Sequence, residues 1–438
     1  MSEGLIGGFA ALAAHRRELA QRRAAIAAPR LAAVVAELAG LASGTPSADL
    51  EDQLCARLGD PLWEWSNAPH VEDHVDVDVA AEVLAAQAIS AVDSALGRVA
   101  VDADGWRGPW QVLAAVADIV GSDLLEAIAE PVEALRDRPG GRALPALPPG
   151  PILAGEVLWT RDAYGSRFGI TAPFSAHAGP NRWYLWDIDA CGGAEPLTVY
   201  SGYYPGSEQA LDAWRVGVGP VAARDGVFAP VEDPLLLVDL LPAQRGFMRI
   251  GGESAAQFGE YHRSRRLAEL VIEDADMPAG DRPAADLDAE VAAAQFLSWW
   301  RARHLDQPPA EGGHPTDASM EERAAELARS WQFGAPQALY HTCSPHRVAL
   351  LVPHLRNYYQ ADFAAELVEL LPEWTTWLAS RNGTPSELAE RCRPYALGQS
   401  YPGLTYDRTD PDPQARVDRV ADDRLPRTQP AVATPGSE

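Results

Sequence analysis

The Gly- and Pro-rich segment Arg138–Pro151 constrains the folding of this 438-residue chain more than any other feature. Its sequence, RPGGRALPALPPGP, interrupts helices and strands alike, so it predicts a stiff linker and a domain boundary. Apolar residues recur at helical spacing before it. After it the apolar runs shorten to strand length, and eleven aromatic residues fall between Trp159 and Trp214. The chain is too long for one ordinary core and predicts two or three domains.

The segment before the linker has the pattern of a helical domain. Apolar residues recur every seven positions and give the first helix a narrow stripe, formed by Leu5, Leu12, Leu19 and Ile26. We expect Pro29 to end this helix or begin the next one. Thr45-Pro46 predicts the start of another helix, and Gly59 predicts its stop. Two further helices are predicted over residues 79–96 and 110–135.

The segment after the linker predicts an α+β domain with a small antiparallel sheet. The predicted strands are Ile152–Trp159, Arg167–Phe174, Asn181–Asp189, Leu197–Tyr200 and Phe247–Ile250. A turn is expected at Gly179-Pro180-Asn181 between two of them. Ser207–Trp214 predicts a helix, and a long helix over Ser254–Glu273 closes the domain.

The last third of the chain returns to a helical pattern. Ser319 with Glu322 predicts a capping-box start, and Ser344-Pro345 predicts another start. Asn382-Gly383 predicts a stop, after which Thr384-Pro385 begins the last helix. Trp374 and Trp377 should share one helical face. The polar, Pro-rich residues from 399 onward predict a disordered tail.

These patterns together predict a mostly helical α+β chain with a central aromatic-rich domain. The predicted segments are a helical domain (1–137), the linker (138–151), the α+β domain (152–275), a linker-rich helical connection (276–318), a helical domain (319–398) and the tail (399–438).

The chain contains no lysine, because all 36 basic residues are arginine. This composition excludes a P-loop, a Schiff-base enzyme and a protein kinase, since each requires a lysine amine. The formal charge of −26 opposes broad binding to nucleic acid, because a phosphate backbone attracts a positive face. The local exception is the first thirty residues, where Arg16 and Arg17 belong to a set of five arginines.

The composition predicts a reduced, cytoplasmic protein without a membrane span. The arginines of the N-terminal segment follow its apolar stretch, which is the reverse of a secretory signal. We find no run of about 18 uncharged apolar residues. The four cysteines lie far apart, with no CxxC pair, so neither a disulfide framework nor a zinc knuckle is indicated.

Two segments contribute most to a resemblance with other proteins: GGESAAQFGEYHRSRRLAE (residues 251–269) and LLPEWTTWLASRNGTPSEL (residues 370–388). Over roughly its last two-thirds the chain resembles hypothetical proteins of high-GC bacteria. The resemblance implies no particular activity.

Ser254 follows a predicted strand and opens a predicted helix, which is the setting of a nucleophile elbow. The second glycine of that motif is Ala256 in this chain. Ser254 also has Gln257 three residues on, a capping box that explains the serine without catalysis. We favour the capping interpretation.

Asp187 and Asp189 lie two apart on one predicted strand, which places both carboxylates on one face. Such a pair could hold a divalent metal or divide acid and base roles. The alternative is a sheet with one wet face, in which Tyr184, Trp186 and Ile188 form the buried side. We favour this alternative because further metal ligands are not evident.

His70 and His74 are four residues apart, which on a helix would place two zinc ligands on one face. Pro69 indicates that the helix begins only about there, and Asp76 with Asp78 provides the negative charge favoured at a helix N-terminus. We favour this capping role over a metal site.

His341, Cys343 and His346 gather two imidazoles and a thiol at a predicted helix start, where the dipole favours thiolate. A Cys–His nucleophilic pair is one interpretation. The other is a helix cap formed by Ser344-Pro345, because catalytic partners are normally brought together by the fold.

A compact basic patch is formed by His262, Arg263, Arg265 and Arg266. An anion, a phosphate or an acidic partner would fit it. Internal salt bridges to the abundant Asp and Glu are the favoured interpretation.

We therefore expect a non-enzymatic interaction or regulatory protein, with a protein partner or self-association and without a cofactor. The leading alternative is a hydrolase or a metal-dependent enzyme centred on the middle domain. A nucleic-acid-associated role through Arg16 and Arg17 is the third hypothesis. An enzyme should bring Asp187, Asp189 and Ser254 or His262 together in one pocket.

Overall fold

A computed structural model describes residues 3–42, 47–70, 73–98, 104–175, 180–191, 196–224, 226–241, 249–250, 255–275, 289–304 and 317–399. The chain is mostly helical with a small antiparallel sheet in its middle, so the predicted fold class is confirmed. It divides into two compact units, each built from three chain segments. Unit 1 comprises Met1–Gly155, Pro173–Arg182 and Ala243–Asp274, and unit 2 comprises Glu156–Ala172, Trp183–Pro242 and Ala275–Glu438.

Unit 1 is a helical unit with one apolar core. Its helices are α1 (Glu3–Leu41), α2 (Ser47–Ser66), α3 (Val77–Leu96), α4 (Arg107–Ile119), α5 (Ser122–Arg136), α9 (Ala255–Gly259) and α10 (Tyr261–Asp274). It also holds the short strands β1 (Ile152–Leu153) and β7 (Arg249–Ile250). The core packs α1 to α5 against each other, with Leu38, Leu54 and Leu113 fully buried. The predicted helix over residues 79–96 is confirmed as α3.

Pro29 lies inside α1, so the prediction that a helix ends or begins there is wrong. A proline within a helix removes one backbone hydrogen bond and favours a kink. Here Pro29 is exposed, whereas its neighbours Ala27 and Leu31 are fully buried in the same core. Tertiary packing on both sides of the proline therefore holds one continuous helix.

Gly59 does not stop α2, which continues to Ser66, so this prediction is also wrong. A Cβ atom at Gly59 would lie 2.4 Å from the Ala255 carbonyl oxygen, and one at Gly259 would lie 2.1 Å from the Cys55 carbonyl oxygen. The two glycines therefore allow the backbones of α2 and α9 to touch.

Two predicted long helices are each broken in two. The helix predicted over residues 110–135 is interrupted at Val120 and Gly121, which separate α4 from α5. The helix predicted over Ser254–Glu273 is interrupted at Glu260. Thr45, Pro46 and Ser254 lie outside the described residues.

The linker segment packs in its first half against α5. Gly141 and Leu144 are buried, and the Arg136 guanidinium donates a hydrogen bond to the Pro145 carbonyl at 3.2 Å. Residues 141–143 form a 3-10 turn. The boundary of unit 1 follows at Gly155.

The sheet of unit 2 has the strand order β6-β2-β3-β4-β5. Its strands are β2 (Leu158–Arg161), β3 (Arg167–Ser175), β4 (Arg182–Asp189), β5 (Leu197–Tyr204) and β6 (Ala229–Pro230). The strand predicted over residues 152–159 is two strands, β1 and β2, both antiparallel to β3. Pro173 of β3 lies opposite the break, and a proline has no N–H group to continue the ladder. A bulge interrupts the β4–β5 register after Asp187.

Both faces of β3 and β4 are buried, so the expected sheet with one wet face is wrong. Asp187 and Asp189 are 1% and 7% exposed, while Tyr184, Trp186 and Ile188 are fully buried on the other face. Helix α6 (Ser207–Val218) contributes Trp214 to a core cluster that includes Leu185 of the sheet.

Unit 2 has seven further α-helices in the described residues, and those after residue 288 enclose an aromatic-rich core. The seven are α7 (Pro220–Ala223), α8 (Pro234–Leu240), α11 (Ala289–His304), α12 (Asp317–Gln332), α13 (Pro345–Tyr358), α14 (Ala361–Asn382) and α15 (Ser386–Ala396). Ser344 caps α13 by accepting from the Arg347 N–H, and Gly383 ends α14 in the left-handed conformation, as predicted. The Trp374 and Trp377 rings pack 4.7 Å apart on one face. Helix α12 begins at Asp317, two residues before the predicted start at Ser319.

Two helices are long and apolar enough to cross a membrane by length and composition alone: Ala14–Leu41 within α1, and α3. The core helix of a soluble protein passes the same test. Helix α3 buries Val83, Leu84 and Val92 in the core of unit 1. The predicted tail from residue 400 onward lies outside the described residues.

Candidate functional site

Asp187 is held by a buried ion pair in unit 2. Arg167 of β3 donates from Nε and Nη2 to the two carboxylate oxygens, at 2.6 and 2.5 Å. The side chains are 9% and 1% exposed, so the pair is removed from water. Both oxygens of Asp187 are therefore engaged by one guanidinium in the fork geometry that arginine favours.

Asp189 makes a separate pair with the start of α13. Its Oδ2 atom lies 2.8 Å from His346 Nδ1, and its Oδ1 atom accepts from the Cys191 N–H at 2.9 Å. The two aspartates therefore hold different partners rather than a common ligand. Among the described residues, no group of three or more His, Cys, Asp or Glu side chains could hold a metal ion.

Asp162 organises the turn between β2 and β3 and was not singled out from the sequence. It accepts from the Ser166 and Arg167 N–H groups at 2.7 and 3.1 Å and from the Ser166 hydroxyl at 3.1 Å. Burial raises its pKa to about 6, although these donors lower it. The signal in the sequence is the spacing of Asp162 and Gly165, since Asp at the first and Gly at the fourth position mark a type I turn.

The His341–Cys343–His346 cluster is divided between different partners. Burial, with Arg381 and Arg347, lowers the pKa of His341 to about 4, and its ring packs 5.8 Å from the Trp377 ring. His346 binds Asp189 instead. Cys343 is buried with its Sγ atom 3.9 Å from Cys392 Sγ. The described contacts include no Cys343–imidazole hydrogen bond.

Arg347 is a buried arginine that the sequence reasoning missed. Its Nη1 atom donates to three carbonyl oxygens at 2.8–3.1 Å, those of Leu339, Tyr340 and Thr342. Its Nη2 atom donates to the Trp331 carbonyl at 2.7 Å, and its Cζ atom lies 4.2 Å from the Trp331 ring centroid. Burial lowers its pKa. It therefore joins the end of α12 to the start of α13, a structural role.

The basic patch of α10 lies in unit 1 and is largely engaged by acidic residues. Arg263 is 4% exposed and binds Glu260, Glu51 and Asp52. Arg182 binds Asp52 at 2.7 Å. These arginines bind carboxylates of the same unit.

The other members of the patch are also held within unit 1. Arg265 lies 2.9 Å from Asp78, and Arg266 lies 3.5 Å from Glu269. Glu269 also accepts from the Ser122 N–H at the start of α5, where the helix dipole favours a carboxylate. Burial, with Arg265, lowers the pKa of His262 to about 4, so this imidazole is neutral at pH 7.

His70 and His74 precede α3 and do not lie on a helix. His74 Nε2 lies 2.7 Å from the Ala68 carbonyl oxygen, and His70 is exposed. Asp76 caps α3 by accepting from the Asp78 N–H at 2.9 Å, so the predicted capping role is confirmed.

The N-terminal arginines lie on the exposed part of α1. Arg16 and Arg17 are exposed, while Arg22 pairs with Asp73 and Arg30 pairs with Glu64. The side chains of Leu5 and Leu12 lie outside the described residues.

A row of contacting aromatic rings lies at the surface of unit 2. The row, here called the aromatic surface, consists of Phe333, His354, Tyr358, Tyr359 and Phe363. Successive ring centroids are 6.5, 5.7, 5.0 and 5.5 Å apart. Phe333 is 64% exposed and Tyr358 is 74% exposed. The sequence analysis did not predict the aromatic surface, although the aromatic residues in the polar stretch NYYQADF (357–363) are a signal for it.

The aromatic surface is fixed by its own contacts. The Tyr359 hydroxyl donates to Glu326 at 2.9 Å and lies 3.1 Å from the Ser330 hydroxyl. Burial lowers the pKa of His354, which favours the uncharged ring. The rings therefore present a neutral, ordered face.

Comparisons of the chain with protein-family models, with curated proteins and with solved structures found no match.

Proposed function

We propose that this chain is a non-enzymatic interaction protein that binds a basic segment of a partner protein through the aromatic surface. The observation that carries the proposal is the row of five contacting rings, of which Phe333 and Tyr358 are mostly exposed. Contiguous exposed aromatic side chains are typical of protein interaction sites, and interfaces are enriched in Tyr and Phe.

The ordering of the rings supports tight binding. Side chains that are already packed against each other lose little conformational freedom when a partner binds. Tyr359 is fixed by Glu326 and Ser330, and Tyr358 stacks on His354 with 15° between the ring planes. Tyr358 therefore offers a face in a position that is set before binding.

Charge complementarity supports a basic partner. The chain carries a formal charge of −26, which attracts cationic segments over long range and repels a second copy of itself. At close range, arginine and lysine side chains stack on aromatic faces, an interaction worth about 0.5–2 kcal/mol each. The neutral rings of the aromatic surface offer such faces without a competing charge of their own.

The engagement of the candidate catalytic groups also supports a non-enzymatic role. Asp187 is bound by Arg167 and Asp189 by His346, whereas His262 belongs to the other unit. An active site needs its acid, base and nucleophile within hydrogen-bond reach of one substrate.

The test measures binding of an Arg- and Lys-rich peptide of about 15 residues to the full chain by fluorescence anisotropy. We expect binding that weakens as salt is raised, because charge steers it. The double variant Phe333→Ala/Tyr358→Ala should bind at least about tenfold more weakly, given typical losses on truncating aromatic hot spots.

The matched control is Val227→Ala, since Val227 is 62% exposed and is not part of the aromatic surface. It should bind as the wild type does. Equal binding by the double variant, or a preference for an acidic or proline-rich peptide, would overturn the proposed partner chemistry. Concentration-dependent sedimentation of the wild type that the double variant abolishes would assign the surface to self-association instead.

A further inference from the structure

Cys343 and Cys392 bring two thiols together from distant parts of the chain. Their Sγ atoms lie 3.9 Å apart, and the residues are 49 positions apart in sequence. Cys343 precedes the Ser344 cap of α13, and Cys392 lies in α15. Both side chains are buried, at 5% and 2% exposed, and the two cysteines are not joined by a disulfide.

The distance between the sulfur atoms suits bond formation. A disulfide has an S–S bond of about 2.05 Å, so two sulfur atoms that lie 3.9 Å apart must approach each other by about 2 Å. Cys392 Sγ also lies 3.9 Å from the Leu388 carbonyl oxygen of its own helix, and a thiol is a weak hydrogen-bond donor.

Packing alone explains one buried thiol, because cysteine acts as a small apolar residue in a core. It does not require two thiols to meet.

We propose that Cys343 and Cys392 form a reversible disulfide under oxidation by peroxide, which fastens the start of α13 to α15. One thiol sulfur attacks a peroxide oxygen, breaks the O–O bond and becomes a sulfenic acid, while its proton leaves in the first water. The second thiol sulfur attacks the sulfenic sulfur and releases the hydroxyl group with the second proton as another water. The pair loses two electrons, and hydrogen peroxide is reduced to two waters.

The crosslink acts on the helices that carry the aromatic surface. Helix α15 packs on α13 and α14, and the far end of α13 bears His354 and Tyr358. A disulfide across 49 residues removes conformational freedom from the unfolded chain. We expect oxidation to raise the Tm of the transition that unfolds these helices by about 5–10 °C.

The experiment treats the full chain with hydrogen peroxide, alkylates the remaining thiols and maps tryptic peptides by mass spectrometry. Cleavage after arginine, which Pro394 prevents at Arg393, places Cys343 in peptide 330–347 and Cys392 in peptide 392–408. The expected result is these two peptides joined with loss of two hydrogens, together with the raised Tm, both reversed by dithiothreitol.

Two substitutions provide matched controls. Cys392→Ala should remove the crosslink and the Tm rise, whereas Cys55→Ala should keep both. If Cys392→Ala fails to fold, the peptide map of the oxidised wild type still decides the pairing. Peptides 330–347 and 392–408 that remain fully alkylated after peroxide, or a crosslink from Cys343 to Cys191, would overturn the proposal.

Discussion

Burial raises the pKa of several carboxyl groups in unit 1. Burial raises the pKa of Glu51 although Arg263 and Arg182 lower it. Asp118 of α4 has its pKa raised to about 7 by burial and by the charge of Glu51, against the opposing effect of Arg266. Ionisation of the Asp118 carboxyl group at neutral pH therefore opposes folding.

We predict that Asp118→Asn stabilises the protein above neutral pH. The folded pKa of about 7 exceeds the unfolded value of about 3.9, so the folded state binds the proton more tightly. The stabilisation that tighter proton binding gives the folded state is fully present below pH 4 and is lost as the pH rises through 7. The advantage of the neutral asparagine should grow from pH 4 and level off above pH 7, at up to about 4 kcal/mol.

Urea unfolding at several pH values measures this gain. Glu126→Gln is the matched control, because Glu126 is exposed on α5 of the same unit and its neutralisation should change little. A gain from Asp118→Asn that is equally large at pH 4 and pH 8 would contradict the linkage, since it would not follow the titration of a carboxyl group.

At the scale of elements, local chemistry predicts helix ends where nothing distant competes. Ser344 and Gly383 mark an end as expected because a capping hydroxyl and a left-handed glycine act within a few residues. Pro29 and Gly59 carry the same kind of local signal, but each lies inside a helix. There, packing against other segments outweighs the local preference.

In the candidate site, too, the local arrangement was predictable from the sequence and the distant partners were not. Periodicity placed Asp187 and Asp189 on one face of a strand, and the structure has them there. Their partners, Arg167 and His346, lie on other elements, and no local pattern indicates which residues will pair. The partners decide the chemistry, because a carboxylate bound by a guanidinium no longer serves as a metal ligand.

The contact between α2 and α9 gives a prediction at this scale. Gly59→Ala should lower the free energy of unfolding by about 1–3 kcal/mol, because the new Cβ would meet the Ala255 carbonyl at 2.4 Å. The same substitution at Gly40 of α1 meets nothing within 4 Å and should stabilise by up to about 1 kcal/mol. Thermal unfolding of the two variants measures both signs. Equal stabilisation of both variants would show that α2 and α9 can move apart without a loss of stability.

At the scale of the whole molecule, neither unit is one continuous piece of chain. The linker pattern predicts domains that follow each other along the sequence, with a boundary at residues 138–151. By contacts, unit 1 also includes residues 173–182 and 243–274. The physical reason is that α9 and α10 complete the packing of the helices that precede the linker. Phe258 packs on Trp63 with ring centroids 5.2 Å apart, and Arg263 neutralises Glu51.

We therefore predict that a fragment of residues 1–155 alone does not reach the stability of unit 1 in the full chain. The fragment lacks Arg263 and Arg182, the two arginines that pair with Glu51, and removing the partner of a buried charge costs about 3–5 kcal/mol. Its thermal transition by circular dichroism should be broad or lower by about 10 °C or more. A peptide of residues 243–275 should restore a cooperative transition, and the same peptide with Arg263→Met should restore it only weakly. The opposite outcome is a fragment that alone unfolds as sharply as unit 1 does in the full chain, and at the same temperature. In that case the segment before the linker is an independent domain, and α9 and α10 add nothing to its stability.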